Sequence, residues 1–139
     1  MRPFWQIGTD VGHHSLSHDE PGDQPLLHQS TVFTMQQFGT LLGALDGVVE
    51  GDGTLLDNCA ILASTDCAEG QPHTLDDYPI VVAGRAGGAL THPGVHYRSD
   101  NGENASNVLL TLLQAMDLDV TEFGNDGGHT TSTVSALRA

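Results

Sequence analysis

Lysine is absent from this chain of 139 residues, and four arginines are its only permanently basic side chains. Eighteen aspartates and glutamates give a formal net charge of -14 at pH 7. Proteins that bind nucleic acid, or that dock on anionic bilayers, neutralise phosphates with lysine and arginine. The composition therefore predicts no nucleic-acid partner, whereas an acidic surface favours solubility and attracts cations.

Cysteine and long apolar runs are also scarce. Cys59 and Cys67 are compatible with one disulfide or with two free thiols, so they do not decide the redox compartment. No stretch approaches the roughly 18 consecutive apolar residues of a transmembrane helix, which predicts no membrane insertion. The first eight residues lack the long apolar segment of a signal peptide, so the sequence leaves the localisation open.

Apolar residues make up 38% of the chain, enough for the core of one ordinary domain over residues 1–139. The strand-length apolar segments Cys59–Ala63 and Pro79–Ala83 alternate with helical patterns at His28–Val49 and Asn104–Met116. Strands that are apolar on both faces are typical of a buried, largely parallel sheet. We therefore predict an α/β fold with a mostly parallel sheet and helices on its faces.

Three shorter stretches complete the secondary-structure prediction. Residues Phe4–Gly8 are of the length and composition of a short strand, and the glycine-rich segment Arg85–Asn101 indicates an irregular connection. The tail from Thr121 onward is rich in glycine and small polar residues. Such a composition predicts a loosely ordered end.

Histidine is concentrated near the N-terminus, where Asp10–His18 contains one aspartate and three histidines. A spacing of four residues relates Asp10 to His14, and His14 to His18, which places each pair on one side of a helical turn. Carboxylate oxygen and imidazole nitrogen together suit a divalent ion such as zinc. A polar surface loop explains the same composition, so the stretch by itself leaves both interpretations open.

Two further polar clusters adjoin the predicted strands. Asp66 and Cys67 follow the strand at Cys59–Ala63, and His73 precedes the strand at Pro79–Ala83. In open α/β sheets the ligand lies beyond the carboxyl ends of the strands. We therefore expect these residues to meet the stretch that begins at Asp10 in one site.

Four ordered motifs resemble the DUF1552 family, which is named for its HxxSHH motif. They are Gly12–His18, Glu50–Asn58, His73 before Pro79–Gly84, and Asn107–Met116 with Phe123–Gly124. That family is similar to the alkaline phosphatase and sulfatase superfamily of α/β metalloenzymes. The resemblance implies a partial three-layer sandwich of the alkaline-phosphatase type.

The resemblance also implies metal ligands. Asp10 and His14 match the Asp-x-x-x-His pair of one ion, and His73 matches the distant histidine that precedes a strand. Asp66 matches an aspartate of the second ion, while Cys67 stands where the superfamily has histidine and would need a lowered pKa to bind. The implied cofactor is a divalent metal, zinc in the first place, with manganese, calcium and magnesium as alternatives.

Other polar residues receive supporting roles. The resemblance places His13, His18, Cys67 and Asp77 behind the ligands or facing the substrate, because a ligating histidine is normally oriented by a partner on its other nitrogen. Asp77 is close enough to His73 in sequence to orient it.

The function implied is that of the metal-binding, C-terminal portion of a hydrolase acting on small-molecule phosphate or sulfate esters. The superfamily carries its nucleophilic serine or threonine in an N-terminal half, so the expected partner is a missing N-terminal segment. The alternative is a non-catalytic α/β binding or interaction module. A homo-oligomer would then cover the apolar edge of the strand Cys59–Ala63. Relatives of this type are often exported.

Overall fold

The computed structural model describes residues 4–139, whose contacts cluster into two compact units. The first unit takes the described residues up to Ala44 together with Ser64–Ile80. The second unit takes Leu45–Ala63 and Val81–Ala139. Helices and strands occur together, which confirms the α/β class, and the single domain over residues 1–139 stays a prediction.

Four α-helices and four short strands lie in the described part of the chain. The helices are α1 (His13–Asp19), α2 (Pro25–Asp46), α3 (Leu55–Asn58) and α4 (Ser106–Ala115), and the strands are β1 (Val49–Glu50), β2 (Gly53–Thr54), β3 (Ile61–Ser64) and β4 (Ile80–Ala83). Strands β1 and β2 form an antiparallel hairpin in which Val49 lies opposite Thr54. Strands β3 and β4 form a second two-stranded sheet.

The predicted strand at Phe4–Gly8 is wrong, because residues Trp5–Ile7 form a 3-10 helix. The backbone N–H of Ile7 donates to the carbonyl of Phe4 at 3.1 Å, and that of Gly8 donates to Trp5 at 3.0 Å. Gly8 has a φ of +80°, which glycine adopts without steric cost and which ends the turn. The local hydrogen bonds therefore replace the strand pairing that the apolar run suggested.

Helix α2 begins at Pro25, earlier than the predicted start at His28. Both carboxylate oxygens of Glu20 accept backbone N–H groups, those of Leu26 and Leu27, each at 2.8 Å. These donors belong to the first turn of the helix and have no partner within it. Proline fits the first helical position because its missing N–H costs nothing there. The Glu20 cap and Pro25 together explain why α2 begins before His28.

Helix α2 leaves several apolar side chains in solvent, although their helical spacing is typical of a face that packs in a core. Val32 and Met35 are 42% and 44% exposed, and Val49, the last residue of the predicted helical segment, lies in β1 and is 83% exposed. Phe38 and Leu42 are half-buried. The helix carries more apolar surface than its own unit covers.

In the part of the chain that the structure describes, no helix has both the length and the apolarity to span a bilayer.

Strand β3 alternates between half-buried and exposed side chains, so the prediction of burial on both faces is wrong. Leu62 of β3 and Val81 of β4 are both exposed. A two-stranded sheet offers each strand a single neighbour, and the second face of the pair remains open. The apolar composition reflects sheet propensity here rather than complete burial.

The C-terminal tail is anchored to α4, which overturns the prediction of loose order. Thr130 pairs with Phe123 across an isolated antiparallel bridge, and its hydroxyl donates to Asn107 Oδ1 at 2.5 Å. Further along, the backbone N–H of Val134 donates to Thr111 Oγ1 at 2.8 Å. These side chains are buried. Small polar residues in the tail thus satisfy buried polar groups of the helix.

Replacing Thr130 with valine should lower the free energy of unfolding by about 1–3 kcal/mol, because Asn107 Oδ1 then loses a buried donor. Urea unfolding followed by circular dichroism measures the change. The neighbouring Thr131 is exposed, so Thr131→Val serves as the control and should change stability by no more than about 0.5 kcal/mol. Equal effects of the two substitutions would contradict an anchoring role for Thr130.

Candidate metal centre

Helix α1 places two imidazoles side by side. His14 and His18 lie one turn apart, and their ring centroids are separated by 4.7 Å with the planes inclined at 61°. The hydroxyl of Ser17 donates to the carbonyl of His14 at 2.7 Å. His13 is turned elsewhere, with its ring 6.4 Å from that of Phe4. Of the two pairs predicted at a spacing of four residues, the structure brings together His14 and His18, whereas Asp10 lies in the bend before α1.

A third imidazole comes from the turn that precedes β4. The backbone N–H of Ala68 donates to the carbonyl of Thr74 at 2.8 Å, and Glu69 forms an antiparallel bridge with Thr74. His73 lies inside this closed turn with a φ of +54°, a left-handed conformation in which histidine is enriched relative to most residues. Its ring centroid is 4.9 Å from that of His18. His14, His18 and His73 therefore contact one another in series.

Gly70 lets this turn approach α1. A Cβ atom at Gly70 would lie 2.8 Å from Ser17 Cβ and 3.1 Å from Ser17 Oγ, closer than such atoms normally pack. A larger residue would push the turn away from the helix. The absent side chain of Gly70 is thus what permits the contact between His73 and His18, both within the first unit.

Asp66 and Cys67 follow β3, as predicted, and their pKa values move in opposite directions. The pKa of Asp66 is lowered chiefly by a hydrogen bond from its own backbone N–H and by the Thr65 hydroxyl at 3.3 Å, with a smaller contribution from the charge of His73. The pKa of the Cys67 thiol is raised by its removal from water and by the Asp66 carboxylate. The lowered pKa that a ligating Cys67 requires is therefore not found.

The remaining predicted residues lie in solvent. Asp10 is exposed in the bend that precedes α1, and Asp77 is exposed in a turn with a φ of +53°. Across residues 4–139, no three histidine, cysteine, aspartate or glutamate side chains stand in an arrangement that could hold a metal ion. The four predicted ligands, Asp10, His14, Asp66 and His73, are thus not assembled into a centre in this conformation.

A cleft of about 420 Å³ adjoins the imidazoles, and His18 contributes to both. Its lining also includes Ser17 and Gly70 at the point where the turn meets α1. Three carboxylate side chains, Asp19, Glu20 and Glu69, make this lining acidic. Sequence reasoning gave His18 a supporting role and missed the cleft, since its two sides come from segments far apart in the chain.

Comparisons of the chain with protein-family models, with curated proteins and with solved structures find no match. The resemblance to the DUF1552 family therefore stays a prediction from the motifs themselves. The chemistry of the candidate site is set by the side chains of the first unit. The donor set there, imidazole nitrogen and carboxylate oxygen, is one that fits zinc chemically.

Proposed function

We propose that this chain is the metal-binding portion of a phosphatase- or sulfatase-like hydrolase of the DUF1552 type. Asp10, His14 and His73 would hold one divalent ion, and Asp66 would contribute to a second. The observation that carries the proposal is the contact series of three imidazoles, with centroid separations of 4.7 and 4.9 Å. Imidazole-rich sites favour zinc, while manganese, magnesium and calcium prefer oxygen donors and remain the alternatives.

The charge of the first unit supports a role for a metal in binding an anionic ester. Its described residues include neither lysine nor arginine, because Arg85, Arg98 and Arg138 all belong to the second unit. A phosphate or sulfate group next to the acidic lining of the cleft would therefore meet repulsion. A divalent ion would supply the missing positive charge, polarise the ester and lower the pKa of a bound water.

The chain's own residues would prepare such a site. Ser17 and Gly70 hold the turn of His73 against α1, while the exposed bend at Asp10 leaves that carboxylate free to approach His14. His13, Cys67 and Asp77 keep the supporting roles that the resemblance implies.

The proposal also includes the detailed architecture of the domain. A partial three-layer sandwich with a mostly parallel sheet requires further elements against β3, β4 and α2. The exposed apolar side chains of Val32, Met35 and Leu62 support this reading, because added elements would cover them.

Zinc binding by the full chain tests the function. We expect the wild-type protein to bind zinc, and Asp10→Ala and His73→Ala to reduce zinc affinity by at least about tenfold, because losing even a residue that only orients a ligand costs that much. Elemental analysis after dialysis and calorimetric titration measure stoichiometry and affinity. The matched controls are Asp119→Ala and His28→Ala, two exposed positions outside the centre that should bind zinc as the wild type does.

Unchanged zinc stoichiometry and affinity in both Asp10→Ala and His73→Ala would rule out this ligand set. The second candidate function is a non-catalytic interaction module, which the exposed apolar face of α2 favours. It predicts no zinc binding, together with self-association that rises with protein concentration in sedimentation experiments. Zinc binding by the wild-type protein therefore distinguishes the two candidate functions.

A further inference from the structure

The geometry points to His18 as a direct ligand of the proposed ion, so that the centre contains three imidazoles, those of His14, His18 and His73. The inference rests on the proposed function and deepens it. It also gives His18 a different role from the supporting one that the resemblance implies. The competing role for His18 is contact with a substrate in the adjoining cleft.

The spacing of the rings fits coordination to one ion. Two imidazoles on a tetrahedral zinc, with Zn–N distances of about 2.0–2.1 Å, place their ring centroids about 5 Å apart. The His14 and His18 rings are 4.7 Å apart, and the His18 and His73 rings are 4.9 Å apart. The two neighbouring pairs, His14 with His18 and His18 with His73, are therefore at separations compatible with a shared ion.

No assembled metal group is found among residues 4–139, so the three imidazoles would have to reorient to share an ion. The planes meet edge to face, at 61° for His14 and His18 and at 79° for His18 and His73, as aromatic rings packed against each other commonly do. Rotation about side-chain torsions changes ring orientation without moving the backbone. His14 and His73 are exposed and have room to turn, whereas the half-buried His18 is the ring about which they would close.

The position of His18 in the series makes it the common neighbour. It is the ring that contacts both His14 and His73, so an ion held between those two would lie against it. The close packing of Gly70 on Ser17, the residue before His18, keeps the turn of His73 in place. The same packing that brings the predicted ligand His73 to α1 therefore also brings it to His18.

The chemistry of the cleft argues against the competing role. His18 shares the lining with the carboxylates of Asp19, Glu20 and Glu69, and that of Glu20 already accepts two backbone N–H groups of α2. Without a bound cation, an anionic ester would be repelled by such a lining. A histidine that binds a cation beside these carboxylates is electrostatically consistent with them, because they stabilise the added positive charge.

A centre with three imidazoles has a definite metal preference. Nitrogen donors select zinc, copper, nickel and cobalt, whereas magnesium, calcium and manganese select oxygen donors. We therefore expect zinc to bind this chain with at least about 100-fold higher affinity than magnesium or calcium. Calorimetric titration of the metal-free protein with each ion measures the preference.

The decisive variant is His18→Phe, which retains an aromatic ring between His14 and His73 but removes both nitrogens. X-ray absorption spectroscopy of the zinc-loaded full chain counts the bound imidazoles, and calorimetry gives the affinity. We expect three imidazoles in the wild type and two in His18→Phe, with zinc bound about 100-fold more weakly. His28→Ala, an exposed histidine of α2, should match the wild type in both measurements.

A second substitution, His18→Gln, protects the test against a packing effect of phenylalanine, and circular dichroism verifies that both variants fold. If the wild type binds zinc and either folded variant keeps the same number of imidazoles, His18 is no ligand and the inference falls alone. If the wild type binds no zinc, the proposed function falls and takes the inference with it. The two failures are therefore distinguishable.

Discussion

Replacing Gly84 with alanine is expected to destabilise the second unit by at least about 3 kcal/mol, because backbone strain and a steric clash add at this position. Gly84 follows β4 with a φ of +89°, a conformation that residues with a Cβ atom rarely adopt. A Cβ atom there would lie 2.2 Å from the carbonyl oxygen of Cys59 and 3.0 Å from that of Leu56. Both are backbone atoms with little freedom to move.

The Cys59 carbonyl is held in place by a second contact. It accepts the backbone N–H of Ala86 at 2.9 Å, so moving it away from a new Cβ atom would cost this hydrogen bond as well. Gly84 therefore marks a place where β4 and the end of α3 approach more closely than any side chain allows.

Substitutions at two other glycines distinguish the effect of backbone strain from that of the steric clash at Gly84. Gly88 has a φ of +103° but open space at its Cβ position, so Gly88→Ala should show strain alone, about 1–2 kcal/mol. Gly39 lies in α2 with no neighbour within 4 Å, and Gly39→Ala should stabilise its helix by about 0.5–1 kcal/mol. Urea unfolding measures all three variants. A loss at Gly84 no larger than that at Gly88 would contradict the clash.

Replacing Leu110 with alanine should cost about 2–5 kcal/mol, the range for removing a fully buried leucine from a packed core. Leu110 lies in α4 and is 0% exposed, in the same helix as the buried Asn107 and Thr111 that bind the tail. The cavity left behind would be bounded by a helix that the tail holds in place, which limits collapse around it.

Leu118 provides the matched control for this prediction. It follows α4 and is 50% exposed, so Leu118→Ala removes the same atoms from a site already half in water. We expect a loss below about 1 kcal/mol in the same urea experiment. If Leu110→Ala and Leu118→Ala were equally destabilising, the core of the second unit would not be centred on α4.

The acidic charge of the chain favours cation binding at the candidate metal centre. A net charge of -14 attracts divalent cations to the surface, and in the described part of the first unit no lysine or arginine competes with them. The same field repels phosphate and sulfate esters until a metal is bound. Under the proposed function, ester binding would therefore require prior metal binding.

Local sequence patterns predicted the elements that are stabilised by their own residues. The segment Asn104–Met116 has apolar residues at helical spacing, and α4 occupies Ser106–Ala115 within it. The segment Pro79–Ala83 predicted β4 to within one residue. The spacing of four between His14 and His18 placed both rings on one side of α1. Such features depend on the spacing of residues along the chain, which the sequence shows directly.

Burial was predicted less well, because it depends on what packs against each element. The exposed Val32 and Met35 of α2 have a helical apolar pattern that a core would also require. Conversely, the polar tail around Thr130 contained no periodic signal, yet its hydroxyl is buried against Asn107. Hydrogen bonds between distant residues, from Thr130 to Asn107 and from Val134 to Thr111, anchor the tail.

The sequence by itself determined the residue types of the candidate centre, its acidic surroundings and the helical turn that carries two of its histidines. Only the tertiary structure decided that His73 joins His18, because that contact depends on Gly70 packing against Ser17 across a long sequence separation. The tertiary structure likewise left Asp10 in solvent and placed His18 between His14 and His73. Spacing encodes which side chains share a helix face, whereas long-range packing decides which segments meet.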